Sequence, residues 1–154
     1  MLDGKDYKYR VVNAGISGDT STDGLARLQN VLNLHPEIVI LEFGGNDGLR
    51  GIPVSNIKTN LEQMLVGLHN ANVKVLLAAM TLPRNYGADY IRSFESVYSE
   101  LAAKHKVSLI PLLVSVGDDG RYMQRDGLHP SVEGNRRLAE AVFQALEPVL
   151  RGVR

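Results

Sequence analysis

Apolar positions along the chain follow two different periods. Nearly continuous apolar runs at Glu37-Ile-Val-Ile-Leu-Glu-Phe43, Val73 to Met80 and Val107 to Ile110 read as strands buried on both faces. Tyr9-Arg10-Val11-Val12-Asn13, closed at Gly15, is a further candidate strand. Between these runs the spacing turns helical. Leu25, Leu28 and Leu32 recur at helical intervals, with Ser21 or Thr22 available as an N-cap. Val54, Ile57, Leu61, Met64, Leu65 and Leu68 predict a long amphipathic helix, and Ile91, Phe94, Tyr98 and Leu101 predict another. Pro130 or Ser131 opens a last helix whose Leu138, Val142 and Leu146 face inward, with Pro148 near its end.

The resulting order, βαβαβαβα with apolar strands, belongs to the α/β class and implies a parallel sheet covered by helices on both faces. No repeat, low-complexity segment or domain-scale linker interrupts it, so residues 1–154 read as a single domain. The one long loop, roughly Pro111 to His129, is rich in Gly and Asp, and loops of that length tend to be functional or disordered.

Charge and composition remove several classes of function. Seventeen basic and seventeen acidic residues cancel, leaving no field to attract nucleic acid or anionic lipid. The absence of cysteine excludes disulfides, thiolate metal sites and a cysteine nucleophile, while leaving the compartment open. No apolar run approaches the ~20 residues of a membrane-spanning helix. The first ten residues, M-L-D-G-K-D-Y-K-Y-R, lack the apolar centre of a signal peptide.

In open α/β sheets, ligands bind beyond the carboxyl ends of the strands. Those ends carry N-A-G-I-S-G-D-T-S (Asn13 to Ser21), G-G-N-D (Gly44 to Asp47), M-T-L-P-R-N (Met80 to Asn85) and the loop with D-G-L-H-P (Asp126 to Pro130). Asp126 and His129, three apart, can pair so that the carboxylate accepts from one imidazole nitrogen and frees the other as a general base. The same pair also reads as a turn-capping Asp beside a surface His. Asn46 can donate its amide to a developing oxyanion, or it can satisfy its own turn. The Asn13–Ser21 stretch can form a nest of backbone N–H groups suited to an anion, or an ordinary loop ending in a helix cap. It matches neither phosphate-loop pattern. Leu112, Leu113, Val114 and Met123 are candidates to line an acyl pocket, with Met80 to Asn85 at its border; apolar loop residues also pack down as satellite core.

Taken together and in this order, V-V-N-A-G-I-S-G-D-T-S, E-F-G-G-N-D-G-L-R-G and R-D-G-L-H-P resemble the SGNH (GDSL-type) hydrolases, in particular the bacterial arylesterase, thioesterase and lysophospholipase branch. The likeness runs from about Val11 to the last helix. It implies a flavodoxin-like three-layer α/β/α sandwich and hydrolysis of carboxylic and thioester bonds of small acyl, aryl or lysolipid substrates through an acyl-enzyme. It also implies no metal or other cofactor, and a periplasmic or secreted setting. Carried over by residue, Gly18 and Asn46 become oxyanion donors, His129 the general base and Asp126 its orienting carboxylate.

The resemblance departs at its front. The family begins with a strand ending in G-D-S, whose serine is the nucleophile, and G-D-S occurs nowhere in this sequence. In the family's sheet that strand lies between those resembling Tyr9–Asn13 and Glu37–Phe43. Its absence predicts a slot of roughly two strand spacings, about 10 Å, lined with unpaired backbone. The slot is expected to close by rearrangement or to take a strand from another chain, giving a homo-oligomer. Ser17, beside Gly18, becomes the candidate nucleophile of this chain, with Ser21 second and a water activated by His129 third. Two other classes of function remain: a non-catalytic binding or self-assembling protein on the same scaffold, and a nucleotide or phosphate binder by fold analogy alone.

Overall fold

The computed structural model describes Leu2 and residues 7–111, 120–127 and 129–152. Three of the four expected strands form among these residues: β1 (Ile38–Leu41), β2 (Lys74–Ala78) and β3 (Ser108–Ile110), paired in parallel in that spatial order. Ile38 sits opposite Lys74 and Leu41 opposite Leu77, while Leu76 faces Ser108 and Ala78 faces Ile110.

The period of two along β2 explains why it is apolar throughout. Val75 and Leu77 join one core cluster; Leu76 and Ala78 join another on the opposite face. The first cluster is built with α4 (Val54–Asn70), which buries Ile57, Leu61, Met64, Leu65 and Leu68, and α5 (Ala88–His105), which buries Phe94, Val97, Tyr98 and Leu101. On the other face, α6 (Val132–Arg151) lays Leu138, Val142 and Leu146 against Leu76, Ala78 and Ile110. The fold is thus the expected three-layer α/β/α sandwich, with both faces of the sheet covered.

Ser131 is the N-cap of α6, its Oγ accepting from Gly134 N at 3.1 Å, and Pro148 lies in the last turns of that helix. The start of α6 presses closely on the turn at Gly120–Tyr122. A Cβ on Gly134 would stand 2.1 Å from the Tyr122 carbonyl oxygen, so this contact excludes any larger residue.

Two expectations are corrected. The leucines at 25, 28 and 32 do not share one helix. α1 (Ser21–Ala26) stops at Arg27, whose backbone leaves the helical region, and α2 (Leu28–Leu32) follows. The guanidinium of Arg27 is drawn back to Asp19 Oδ2 at 2.7 Å and to the Ala14 carbonyl at 2.6 Å. The cap of α1 is Thr20, not Ser21 or Thr22. Thr20 Oγ1 receives the Asp23 N–H, and the Asp23 carboxylate accepts from Thr20 N at 2.8 Å, a reciprocal capping box.

The second correction concerns Tyr9–Asn13, which forms no strand. No backbone hydrogen bond links this segment to β1. A strand needs a neighbour to accept and donate its ladder bonds, and between the two lies a cavity of about 1140 Å³. Tyr9 to Asn13 form one wall and Glu37 to Phe43 the other. Met64 and Leu68 of α4 and Leu146 and Leu150 of α6 close it from the two helical layers. The expected slot therefore exists, and it stays open within one chain instead of closing by rearrangement.

Candidate active site

Four short segments carry the polar side chains. The loop from Asn13 to Thr20 enters α1. α3 (Gly45–Leu49) follows β1 after a single left-handed residue, Gly44, at φ +107°. Met80 follows β2, and the segment Met123 to Pro130 precedes α6.

That last segment is a tight double-backed loop. Met123 and Pro130 form an antiparallel bridge, Gln124 N donates to the His129 carbonyl at 2.7 Å, and Gly127 N donates to the Gln124 carbonyl at 3.0 Å. At its tip Asp126 grips His129 twice. Asp126 Oδ2 lies 2.8 Å from His129 Nδ1, and Asp126 Oδ1 accepts from His129 N at 3.0 Å. The carboxylate assigns the proton to Nδ1, which leaves Nε2 of the neutral ring with a free lone pair. The imidazole side chain is 70% exposed, so that lone pair is open to a substrate proton. Leu128 lies outside the described residues, as do Leu112, Leu113 and Val114 from the expected pocket lining; Met123 is described and serves the bridge.

Asn46 and Asp47 occupy consecutive positions of α3. Asn46 Nδ2 donates to the Asp19 carbonyl at 2.8 Å, using one amide proton and leaving the second. Arg50, one turn further, donates from Nη2 to the Gly18 carbonyl at 2.9 Å. Gly18 itself takes φ +86°. Asn46 is thus fastened across the loop that carries Gly18.

Asp47 is fully buried and accepts from Ser21 N at 2.8 Å and from Ser21 Oγ at 2.5 Å. Asn60 of α4 donates to Ser21 Oγ and to Thr22 Oγ1, each at 3.0 Å. Ser21 is therefore neither a cap nor an exposed nucleophile; it is a buried link. Sequence reasoning missed Asp47, Asn60, Arg27 and Arg50. For the cap, T-x-x-D at Thr20–Asp23 was the available signal; Asp47, Arg50 and Asn60 meet partners 26 or more residues away, and Arg27 reaches Asp19 and Ala14 across an irregular loop, so no local pattern marked them.

Ser17 is exposed and shares the lining of the large cavity with Asn46, Gly45 and Met80. Gly18, Asp126 and His129 are not part of that lining. The structure thus pairs Asp126 with His129 and joins Asn46 to the Gly18 loop, and it places Ser17 in the cavity wall. Glu42 stands in the same wall; protein crowded around it pushes its carboxyl above the usual carboxylate range, although the cavity leaves it open to water. Among the described residues no group of three or more metal-ligating side chains converges, and no helix is long and apolar enough to cross a membrane.

Known proteins resemble this chain over most of its length. The model of the GDSL-like Lipase/Acylhydrolase family matches residues 2–137. Esterase TesA of Pseudomonas aeruginosa is 47% identical over 146 residues, which cover 94% of this chain and 73% of the esterase. Thioesterase 1/protease 1/lysophospholipase L1 of Escherichia coli K12 is 41% identical over 145 residues, covering 93% and 70%. A crystal structure of TesA superposes with a TM-score of 0.90 at 46% identity, covering 96% of this chain and 83% of that one.

Proposed function

The chain belongs to the GDSL-like lipase/acylhydrolase family of serine-type carboxylic ester hydrolases, and we propose that it cleaves small acyl, aryl or lysolipid esters and thioesters with His129, Asp126, Gly18 and Asn46 as its working residues. The observation that carries this reading is the double grip of Asp126 on His129, at 2.8 Å and 3.0 Å. A carboxylate that binds both the ring and the backbone of a histidine fixes the tautomer and aims Nε2 outward.

The chemistry then runs as follows. A hydroxyl oxygen attacks the acyl carbonyl carbon and its proton passes to His129 Nε2, forming an imidazolium that Asp126 stabilises. The carbonyl π electrons move onto oxygen, which takes hydrogen bonds from the Gly18 N–H and from the second amide proton of Asn46. Collapse expels the alcohol or thiol, which leaves with the proton held on Nε2. Water repeats the sequence on the acyl-enzyme and releases the acid.

On this chain's own residues, the attacking hydroxyl is assigned to Ser17, which shares the cavity wall with Asn46. For attack its loop must bring Oγ within hydrogen-bond reach of Nε2. Turnover of a short p-nitrophenyl ester tests the whole reading. His129→Ala is expected to lower kcat by about 10²–10⁴-fold, and equal rates would overturn the assignment of the base. Ser17→Ala is expected to abolish the acyl-enzyme; unchanged turnover would remove Ser17 and leave water as the nucleophile.

The proposal includes a homo-oligomer that pairs through the free edge of β1. Its support is the distribution of apolar surface. Of the eight large apolar side chains exposed among the described residues, five line the open cavity: Val11, Val12, Ile16, Leu34 and Ile40. Surface of that kind calls for a covering partner.

A further inference from the structure

We propose that Asp47 is a positioning residue for the oxyanion donors: one buried carboxylate, acting through Ser21, sets the spacing between the Gly18 loop and the Asn46 amide. The inference rests on the reading of Gly18 and Asn46 as those donors, and it goes beyond that reading by assigning what holds them in register.

Asn60 Nδ2 can only donate, so the Ser21 hydroxyl accepts from it at 3.0 Å. The hydroxyl has one proton, and it goes to Asp47 Oδ1 at 2.5 Å. The other carboxylate oxygen, Oδ2, takes the Ser21 backbone N–H at 2.8 Å. Two donors on Ser21 thus meet both oxygens of Asp47, and each oxygen serves as an acceptor. The chain Asn60 → Ser21 → Asp47 has one direction and no slack. Ser21 and Asp47 are both completely shielded from solvent, so water cannot replace a lost bond.

The covalent neighbours turn this clamp into a positioning device. Asp47 follows Asn46 in α3, and Ser21 lies three residues after Gly18 at the start of α1. Fixing Ser21 on Asp47 therefore fixes two backbones against each other. Two further ties complete the frame: Asn46 Nδ2 to the Asp19 carbonyl at 2.8 Å and Arg50 Nη2 to the Gly18 carbonyl at 2.9 Å. These ties are partly open to water, so the buried pair holds the register.

The experiment uses three variants of the intact chain. Asp47→Asn presents an NH₂ group where Ser21 offers a donor, so one of the two bonds must break. Its kcat is expected to fall about 10²-fold, the scale of an ångström-sized misplacement, with KM within about twofold of the parent. Ser21→Ala is expected to lose about tenfold in kcat, as for one hydrogen bond to a charged group. It also carries the test if Asp47→Asn fails to fold. Asp23→Asn is the control. It weakens the capping box at the same helix start by removing the charge that accepts from Thr20, without touching Asp47, and is expected to lower the melting temperature while leaving kcat unchanged. A second readout does not depend on turnover: the side-chain amide resonances of Asn46 are expected to be distinct and slowly exchanging in the parent, held by the Asp19 carbonyl, and to collapse towards free-amide values in Asp47→Asn and Ser21→Ala only. Unchanged Asn46 resonances in those two variants would overturn the inference even in a chain without esterase activity, which would itself count against the hydrolytic reading alone. Equal losses of kcat in Asp47→Asn and Asp23→Asn would overturn it as well.

Discussion

The hydroxyl of Tyr98, deep in α5, donates to the Phe43 carbonyl at 2.9 Å, directly behind Gly44. Gly44 turns the chain from β1 into α3 at φ +107°, and a Cβ there would lie 2.2 Å from that hydroxyl oxygen. Burial pushes the Tyr98 phenol well above its ordinary range, so it stays a donor at any working pH. Tyr86 and Tyr90 extend the same grip, donating to the Leu49 carbonyl at 2.9 Å and the Ile52 carbonyl at 2.7 Å. Three tyrosine hydroxyls thus hold the segment that carries Asn46.

Gly44→Ala is accordingly expected to destabilise the fold. The left-handed backbone costs about 1–3 kcal/mol for a residue with a Cβ, and the collision with Tyr98 adds to it. Tyr98→Phe removes the collision but orphans the Phe43 carbonyl, at about 1–3 kcal/mol. The double variant should therefore be more stable than the sum of the singles predicts. Urea unfolding of all four proteins measures this coupling, and strict additivity would show that the two residues do not meet.

The role proposed for Asn46 is to donate its second amide proton to the reacting oxygen. Asn46→Ala should lower kcat for a short p-nitrophenyl ester by about 10²–10³-fold, with KM little changed. A rise in KM with kcat preserved would instead make Asn46 a ground-state binding group.

Glu42 gives a pH signature in the cavity wall. Its carboxyl is raised in the folded protein by the protein crowded around it, although its side chain still meets water in the cavity, so the folded state holds this proton more tightly than the unfolded chain does. Its stabilising contribution is complete below the unfolded value, near the ordinary pKa of about 4.3, and is lost as pH rises through the folded one. Glu42→Gln should then raise the melting temperature at pH 7, and the gain should vanish below about pH 4. Melting curves of both proteins across that range decide it; a gain that persists at low pH would point to packing instead of charge.

The open edge of β1 predicts self-association. Ile40 is 40% exposed on that edge. In parallel pairing, Glu37 turns its carbonyl to Lys74 N, at 3.0 Å, so alternation turns the backbone groups of Ile38 and Ile40 towards the cavity. Sedimentation should show a concentration-dependent dimer in the parent and a monomer in Ile40→Lys. A parent that stays monomeric at all concentrations would remove the oligomer from the proposal.

Much of this molecule is legible along the chain. The nearly continuous apolar run at Val73–Met80 and the helical spacing of Ile57, Leu61, Leu65 and Leu68 place β2 and α4, because the residues that satisfy those elements are their own neighbours. Asp126 and His129 form their pair for the same reason. They are three apart, and a short turn brings their side chains together without help from the rest of the fold.

Other features were decided only in three dimensions. Tyr9–Asn13 has the composition of a strand, yet strand formation depends on a neighbouring backbone, and a cavity lies where that neighbour would have to be. Thr20 took the cap from Ser21 because Ser21 was claimed by Asp47, 26 residues away. The placement of Asn46 depends on the Ser21–Asp47 clamp, the Asp19 carbonyl and the Tyr98 hydroxyl, whose Ser21, Asp19 and Tyr98 are all distant from it in the chain. Periodicity and short motifs record what a residue shares with its sequence neighbours. Hydrogen-bond partners across long separations are chosen by burial and packing, and these exist only once the sheet and its two helical layers have formed.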